Sequence, residues 1–458
     1  MQSQQAEQAL PFDLSGYIEE RKVGLFHFRL VVMSFVIALA DGFDLALVGL
    51  IAPSLIKDFG VAPASLGILF SAGLAGMVLG ALLFAFIGDR FGRKAGVIGG
   101  CFIFGFFTLL STWSNSLETL IILRFLTGLG LAGIVPNLVS LNAEYLPRNV
   151  RSLFIGIVLV GIPVGGAVAA WSSAILLPQY GWRSLFLAGG AAAVIVALSL
   201  VLLMPESVKF LGLRAKHHDR LRALVKKIYG LEHLATESME QAKPAAPKVG
   251  LSPRALLAPG YANVTLLLWL LCFLNYGVVY FLFSWVPTVF RAQGFTVQQT
   301  GALLSIMPIG GIIGSLAVSA LMERWGMLLV GALMLLAIPV SWVFGSPHIS
   351  FASAVVFGIL GGICIIGCQT GLIVASGLVY PTSIRAKGAG WAAGIGRVGS
   401  VLGPLFGSLL LKFYPLPHLL IAPVVPMSIC LVATLLLTAL LFRRFGNFRV
   451  GEVEPSIT

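Results

Sequence analysis

Asp41 and Asp44 stand three residues apart in VIALADGFDLALVGL, residues 36–50, where nearly every other side chain is apolar. On a helix that spacing puts both carboxyls near one face. Inside a membrane each costs about 2.5–3.5 kcal/mol by insertion scales, so their retention needs a reason. Burial disfavours the charged form of a carboxyl, and a second carboxylate beside it disfavours that form further. One of the pair can therefore hold a proton and give it up. A structural reading stands beside this one: an ion pair with Arg124, whose depth in its own apolar stretch is compatible with contact to Asp44. The two readings coexist if the arginine changes partner as the proton comes and goes. Arg397 is the complementary oddity, a cation deep in an apolar stretch of the second half, where no acid lies inside the apolar segments to neutralise it. A guanidinium recognises a carboxylate bidentately, which makes Arg397 a candidate to hold an acid group; the plainer alternative is an arginine bound to backbone carbonyls.

The elements that must position these residues are membrane helices. Of the 458 residues, 58% are hydrophobic and 10% charged, and the mean hydropathy is +0.97; a typical soluble domain has about 25% charged residues. Twelve apolar runs are long enough to cross a hydrocarbon core about 30 Å thick. They fall near 28–53, 64–87, 95–113, 119–143, 152–177, 184–204, 262–290, 299–322, 327–344, 350–377, 388–412 and 417–442. A polar arm precedes the first, and its apolar run exceeds the roughly 7–15 residues of a signal, so it is not a cleaved leader. The net charge of +12 raises nucleic acid as a partner, but most of the 30 Lys and Arg lie in the amino-terminal arm, the even-numbered connections and the carboxyl-terminal tail. That is the positive-inside pattern of a multi-pass membrane protein with both termini cytoplasmic, and no nucleic acid is expected. Of the 18 acidic residues, only Asp41 and Asp44 fall well inside the apolar runs. All five cysteines do so too and read as packing residues; no disulfide or metal site is expected, since no His or carboxylate accompanies Cys364 and Cys368.

The chain divides into an arm (1–27), a six-helix bundle (28–204), a linker (205–261), a second six-helix bundle (262–442) and a tail (443–458). The linker opens with the basic LRAKHHDRLRALVKKIYG and continues into the Pro-rich KPAAPKVGLSP. One constant, gapless offset aligns Pro53 with Pro287, Gly76 with Gly310, Arg90 with Arg324, Gly128 with Gly362, Gly133 with Gly367, Pro147 with Pro381 and Arg151 with Arg385. This is an internal repeat, and two parallel six-helix repeats describe a transporter that rocks about a site near the midplane. Between helices 2 and 3 stands GDRFGRKAG, with Asp89, Arg90 and Arg93; between helices 8 and 9 its equivalent MERWG keeps Glu323 and Arg324. A carboxylate is favoured at a helix amino end, so these loops can dock on neighbouring helix termini as a breakable cytoplasmic gate. The expected partners are Glu144 and Arg151 of EYLPRNVR and Arg385 of YPTSIR; the simpler alternative is a basic loop obeying the positive-inside rule.

GDRFGRK, RFLTGLG and PESVKFL resemble signatures of the major facilitator superfamily, over essentially the whole chain. DGFD in helix 1, with YPTSIRAKGAGW and GIGRVGSVLGP at helix 11, is similar to the aromatic acid:proton symporters. The resemblance implies the all-α facilitator fold of two pseudo-symmetric six-helix bundles and import of a benzoate- or hydroxybenzoate-type acid across a bacterial cytoplasmic membrane. It also implies a transporter with no enzyme activity, expected to work by alternating access, as a monomer and without a cofactor, the proton serving as coupling ion. Moving an anion into a cell negative inside costs about 2.3 kcal/mol per 100 mV. A proton carried along removes that cost, and each pH unit then contributes about 1.4 kcal/mol. Asp41 and Asp44 become the proton-coupling residues. Arg397 and Arg124 become substrate-site candidates, with Asn275 to meet a ring hydroxyl, Tyr276 and Tyr280 to flank a ring, and Phe43 and Gln369 beside them. GLGLAG (Gly128 to Gly133) and GIGRVG (Gly394 to Gly399) match a dinucleotide fingerprint, but no strand precedes either, and they read as helix-packing glycines. The glycine-proline run of helix 11 also resembles a motif of proton-driven exporters, so export of an aromatic or amphiphilic compound is the rival. A receptor built on a transporter fold has less support, since the chain adds no sizeable soluble domain.

Overall fold

In the computed structural model of the chain, the structure describes residue 18 and residues 22–212, 217–229, 252–258 and 260–445. Most of the expected arm, the middle of the linker and most of the tail lie outside the described residues. Twelve membrane-spanning helices follow in order: α1 (Leu25–Phe59), α2 (Pro63–Phe91), α3 (Arg93–Trp113), α4 (Leu117–Tyr145), α5 (Arg151–Tyr180), α6 (Arg183–Leu203), α7 (Ala262–Ala292), α8 (Val297–Met322), α9 (Met327–Phe344), α10 (Phe351–Gly377), α11 (Ile384–Leu410) and α12 (Leu416–Arg443). These match the expected spans within a few residues, except that α1 continues through Pro53 to Phe59.

The repeat seen in the sequence recurs in the packing. A Cβ added at Gly76 would strike the Phe125 carbonyl, and one at Gly310 the equivalent Ile359 carbonyl. Gly128 lies against Gly73 and Gly362 against Met307; Gly165 lies against Leu39 and Gly399 against Phe273. Each pair keeps the register of the internal repeat. In both halves, missing side chains let backbones approach closely, which is how helices associate where lipid removes the hydrophobic drive between them. The repeat extends to a defect. Helix α4 breaks at 132–133 between Leu117–Leu131 and Ile134–Tyr145, while α10 carries a π-turn at Gly362–Ile366.

The halves clasp at the end away from the described termini. There Ser71 of α2 donates to the Val401 carbonyl of α11 at 2.6 Å, and the Phe70 and Trp285 rings meet edge to face at 5.4 Å. Gly49 of α1 abuts Phe283 of α7, and Gly301 of α8 abuts Ala170 of α5. On the terminus side the equivalent glycines Gly156 and Gly390 have no neighbour within 4 Å of an added Cβ.

Candidate functional site

Rotation about α1 decides what each aspartate meets. Asp44 faces α3 and α4, where Arg124 forks onto it: Nη1 donates to Oδ1 at 2.8 Å and Nη2 donates to Oδ2. Thr108 of α3 adds a hydroxyl to the same Oδ1 at 3.2 Å, and the Phe186 ring lies 5.9 Å from the guanidinium carbon. Asp44 and Arg124 are 1% and 4% exposed, so the pair is closed off from water. Planar bidentate geometry of this kind, with a further hydrogen bond, is what a buried ion pair needs to offset its desolvation.

Asp41 is equally buried, yet its Oδ1 has no hydrogen-bond partner. Cys101 of α3 and Tyr280 of α7 stand within its electrostatic reach. Tyr280 is likewise within reach of Arg397 and Tyr276. Tyr276 shares a hydrogen bond with Gln369 of α10, and its ring covers Gly396, next to Arg397. Arg397 is half-buried, and its Nη1 is buried without a partner. Asn275 donates from Nδ2 to the Ile365 carbonyl in the π-turn at 3.3 Å, leaving its buried Oδ1 unpaired. Asp41 and Arg397 thus both lie within electrostatic reach of Tyr280, and Gln369 joins the group through its bond to Tyr276, so the group draws on both halves, with Asn275 also on α7. Phe43 is not among them: it sits on another face of α1 with its ring against Gly189 of α6. Arg124 is committed to Asp44.

Of the expected gate contacts, Arg93 stands within electrostatic reach of Glu144. Asp89 and Arg93 form an ion pair at 2.7 Å, and Arg90 lies over the Phe86 and Phe91 rings. Arg151 Nε donates to the Leu146 carbonyl at 3.2 Å, and Arg385 Nε donates to the Tyr380 carbonyl at 3.4 Å. These are equivalent bonds of the two halves, each tying a cation to the carboxyl end of the preceding helix. Glu144 accepts from the Ser207 hydroxyl and from Lys209 N. Arg324 is exposed, and the Glu323 side chain lies outside the described set.

Two contributors were not read as site residues from the sequence. Thr108 gives no signal, being one hydroxyl in an apolar run. Glu206, within PESVKFL, takes the amino end of α3: its Oε1 accepts from Lys94 N at 3.1 Å and Ser207 N at 2.8 Å. Gly92, at φ +104°, leaves room for that carboxylate where a side chain would collide with it.

A family model described as Major Facilitator Superfamily matches residues 34–376. The chain belongs to the major facilitator superfamily. The 4-hydroxybenzoate transporter PcaK of Pseudomonas aeruginosa is 34% identical over 426 residues, covering 93% of this facilitator and 95% of that protein. The gallate transporter of Pseudomonas putida is 33% identical over 88% of this chain and 89% of its own. A crystal structure of a bacterial homologue of the human lysosomal transporter Spinster, inward-facing and occupied, shares the fold at a TM-score of 0.71 and 18% identity, over 94% of this chain and all of that one. This facilitator is therefore a multi-pass membrane transport protein and not an enzyme, as its motifs implied.

Proposed function

We propose that this facilitator imports a small aromatic carboxylic acid of the benzoate or hydroxybenzoate type together with a proton. Arg397 carries the reading: it presents a buried guanidinium nitrogen without a partner, within electrostatic reach of Tyr276 and Tyr280, and Tyr280 is also within reach of Asp41. The names of the 4-hydroxybenzoate and gallate transporters similar to this chain support the substrate class.

In this mechanism Asp44 is the fixed partner, its oxygens taken by Arg124 and Thr108. Asp41, with an unpaired oxygen, carries the proton. Protonation of Asp41 removes a negative charge near Tyr280, and the substrate carboxylate can then enter beside Arg397 while its ring lies along Tyr276 and Tyr280. Asn275 Oδ1 is free to accept a bond from a ring hydroxyl. The closed far end and the open surroundings of Gly156 and Gly390 suit a carrier releasing toward the side of the described termini, which we assign to the cytoplasm of a bacterial cell from the placement of basic residues. Exchange of the clasp from one end to the other gives alternating access in a single chain, without a cofactor.

Uptake of labelled 4-hydroxybenzoate into proteoliposomes tests this. Accumulation above equilibrium under an inward proton gradient is expected. Transport only when the gradient is reversed would replace import by export, and no transport of any hydroxybenzoate would remove the substrate class.

A further inference from the structure

On the terminus side a cavity of about 1320 Å³ lies between the ends of α1, α2, α3 and α6 and the helix of the linker, His218–Tyr229. It shares no residue with the group from Asp41 to Arg397, and it is lined in part by Arg90 of the candidate gate and by Glu206. Five cations line it: Arg29 from α1, Arg90 and Lys94 from the α2–α3 turn, and Arg220 and Lys227 from the linker helix. Among its described lining residues Glu206 is the one carboxylate, and that group is already bonded to the amides at the start of α3. The cavity therefore has a strong excess of positive charge.

Its rim is apolar. Leu25, Phe91, Leu202 and Leu203 line it and are largely exposed, Leu202 at 86%, at the mouths of helices that border lipid. The linker helix shows how the two characters are joined. Leu221 and Val225 are buried in the cluster that holds Leu200, Met204 and Leu211, and Leu224 and Ile228 pack against it. Arg220, Arg222, Lys226 and Lys227 are exposed on its surface, with Asp219 paired to Arg222 at 3.8 Å. A basic amphipathic helix lying along the end of a bundle is placed at the height of lipid headgroups.

We propose that this cavity binds an acidic phospholipid, its phosphate among Arg29, Lys94, Arg220 and Lys227 and its acyl chain leaving past Leu202 and Leu203. Basic pockets between membrane helices suit such headgroups. A soluble phosphate would satisfy the cations but would leave the exposed apolar rim without a function. Since Lys94 lies in the first turn of α3 beside Arg93, the partner of Asp89, the lipid would also join the linker to the α2–α3 turn.

The test uses the full chain in detergent, titrated with phosphatidylglycerol or phosphatidylcholine, with bound lipid counted by native mass spectrometry. Preferential retention of phosphatidylglycerol is expected, weakened about tenfold in Arg220→Gln/Lys227→Gln. Arg222→Gln/Lys226→Gln removes the same charge from the same helix away from the cavity lining and should retain the lipid. Equal losses in both pairs, or equal retention of phosphatidylcholine, would overturn the site. Displacement of phosphatidylglycerol by millimolar inorganic phosphate would overturn the lipid as occupant and leave a soluble-anion site. Thermal melting verifies that both variants fold; should the double variant melt early, Lys227→Gln alone serves, with the same expected direction.

Discussion

The two halves share a backbone and differ in charge. The internal repeat places Gly76, Gly128 and Gly165 over Gly310, Gly362 and Gly399, with the same partners, and even Arg151 and Arg385 tie down equivalent carbonyls. At the midplane the correspondence stops. Asp41 stands opposite Asn275, Asp44 opposite Val278, Arg124 opposite Gly358 and Arg397 opposite Pro163. Close helix packing demands the same small residues on both sides, so it preserves the repeat. Chemistry makes no such demand: one half holds a compensated ion pair and a spare carboxyl, the other a lone cation. The asymmetry suits a carrier that takes a proton on one side of its axis and an anion on the other.

The largest effect expected from disturbing this arrangement is that of Asp44→Asn. It leaves Arg124 buried without its counter-ion, a loss of about 3 kcal/mol or more. A clear fall in melting temperature and loss of uptake are expected together, and Asp44→Asn/Arg124→Gln should recover the melting temperature but not the uptake. Unchanged melting in the single variant would show that the pair does not hold the first half together. Asp41→Asn makes the two halves alike at this position. It should abolish accumulation driven by a pH gradient while sparing exchange of labelled for unlabelled substrate and leaving the melting temperature near wild type. Full accumulation would take the proton away from Asp41. Arg397→Ala removes the cation of the second half, and binding of hydroxybenzoate should weaken by about tenfold to a hundredfold, the worth of a charged hydrogen bond. The neutral amide should be affected far less; equal losses would place the anion elsewhere.

Much of this was legible beforehand because membranes impose few alternatives. Helix length, the rarity of charge inside the apolar runs and the repeated glycines led to twelve spans, the Asp41 and Asp44 pair and Arg397. The depth comparison brought Arg124 to Asp44. That Asp41 would be left with an unpaired oxygen was not legible, because residues three apart share nearly one face and the outcome depends on how α1 is rotated against α4. Phe43 illustrates the same limit: it lies between Asp41 and Asp44 in helix order, but its ring packs on Gly189. The π-turn of α10 also escaped, since GICII is an ordinary helical run until Gly362 meets the Met307 carbonyl. Glu206 was visible as part of a signature, but its place at the amino end of α3 depends on α6 returning to that corner.

The finest test of the difference between the aspartates is Thr108→Val, which keeps the side-chain shape and removes the hydroxyl that Asp44 accepts at 3.2 Å. Asp44 retains both bonds from Arg124, so the loss is that of one hydrogen bond, about 1 kcal/mol. If Asp44 is the fixed charge and Asp41 the carrier of the proton, the substitution leaves Asp41 untouched. It should shift the melting temperature slightly downward and leave the pH dependence of uptake where it was. If instead Asp44 titrates during transport, loss of a bond to its ionised form would make it easier to protonate, and the pH profile of uptake would move toward higher pH. A displaced profile in Thr108→Val, with Asp41→Asn still coupled, would exchange the roles of the two carboxyls.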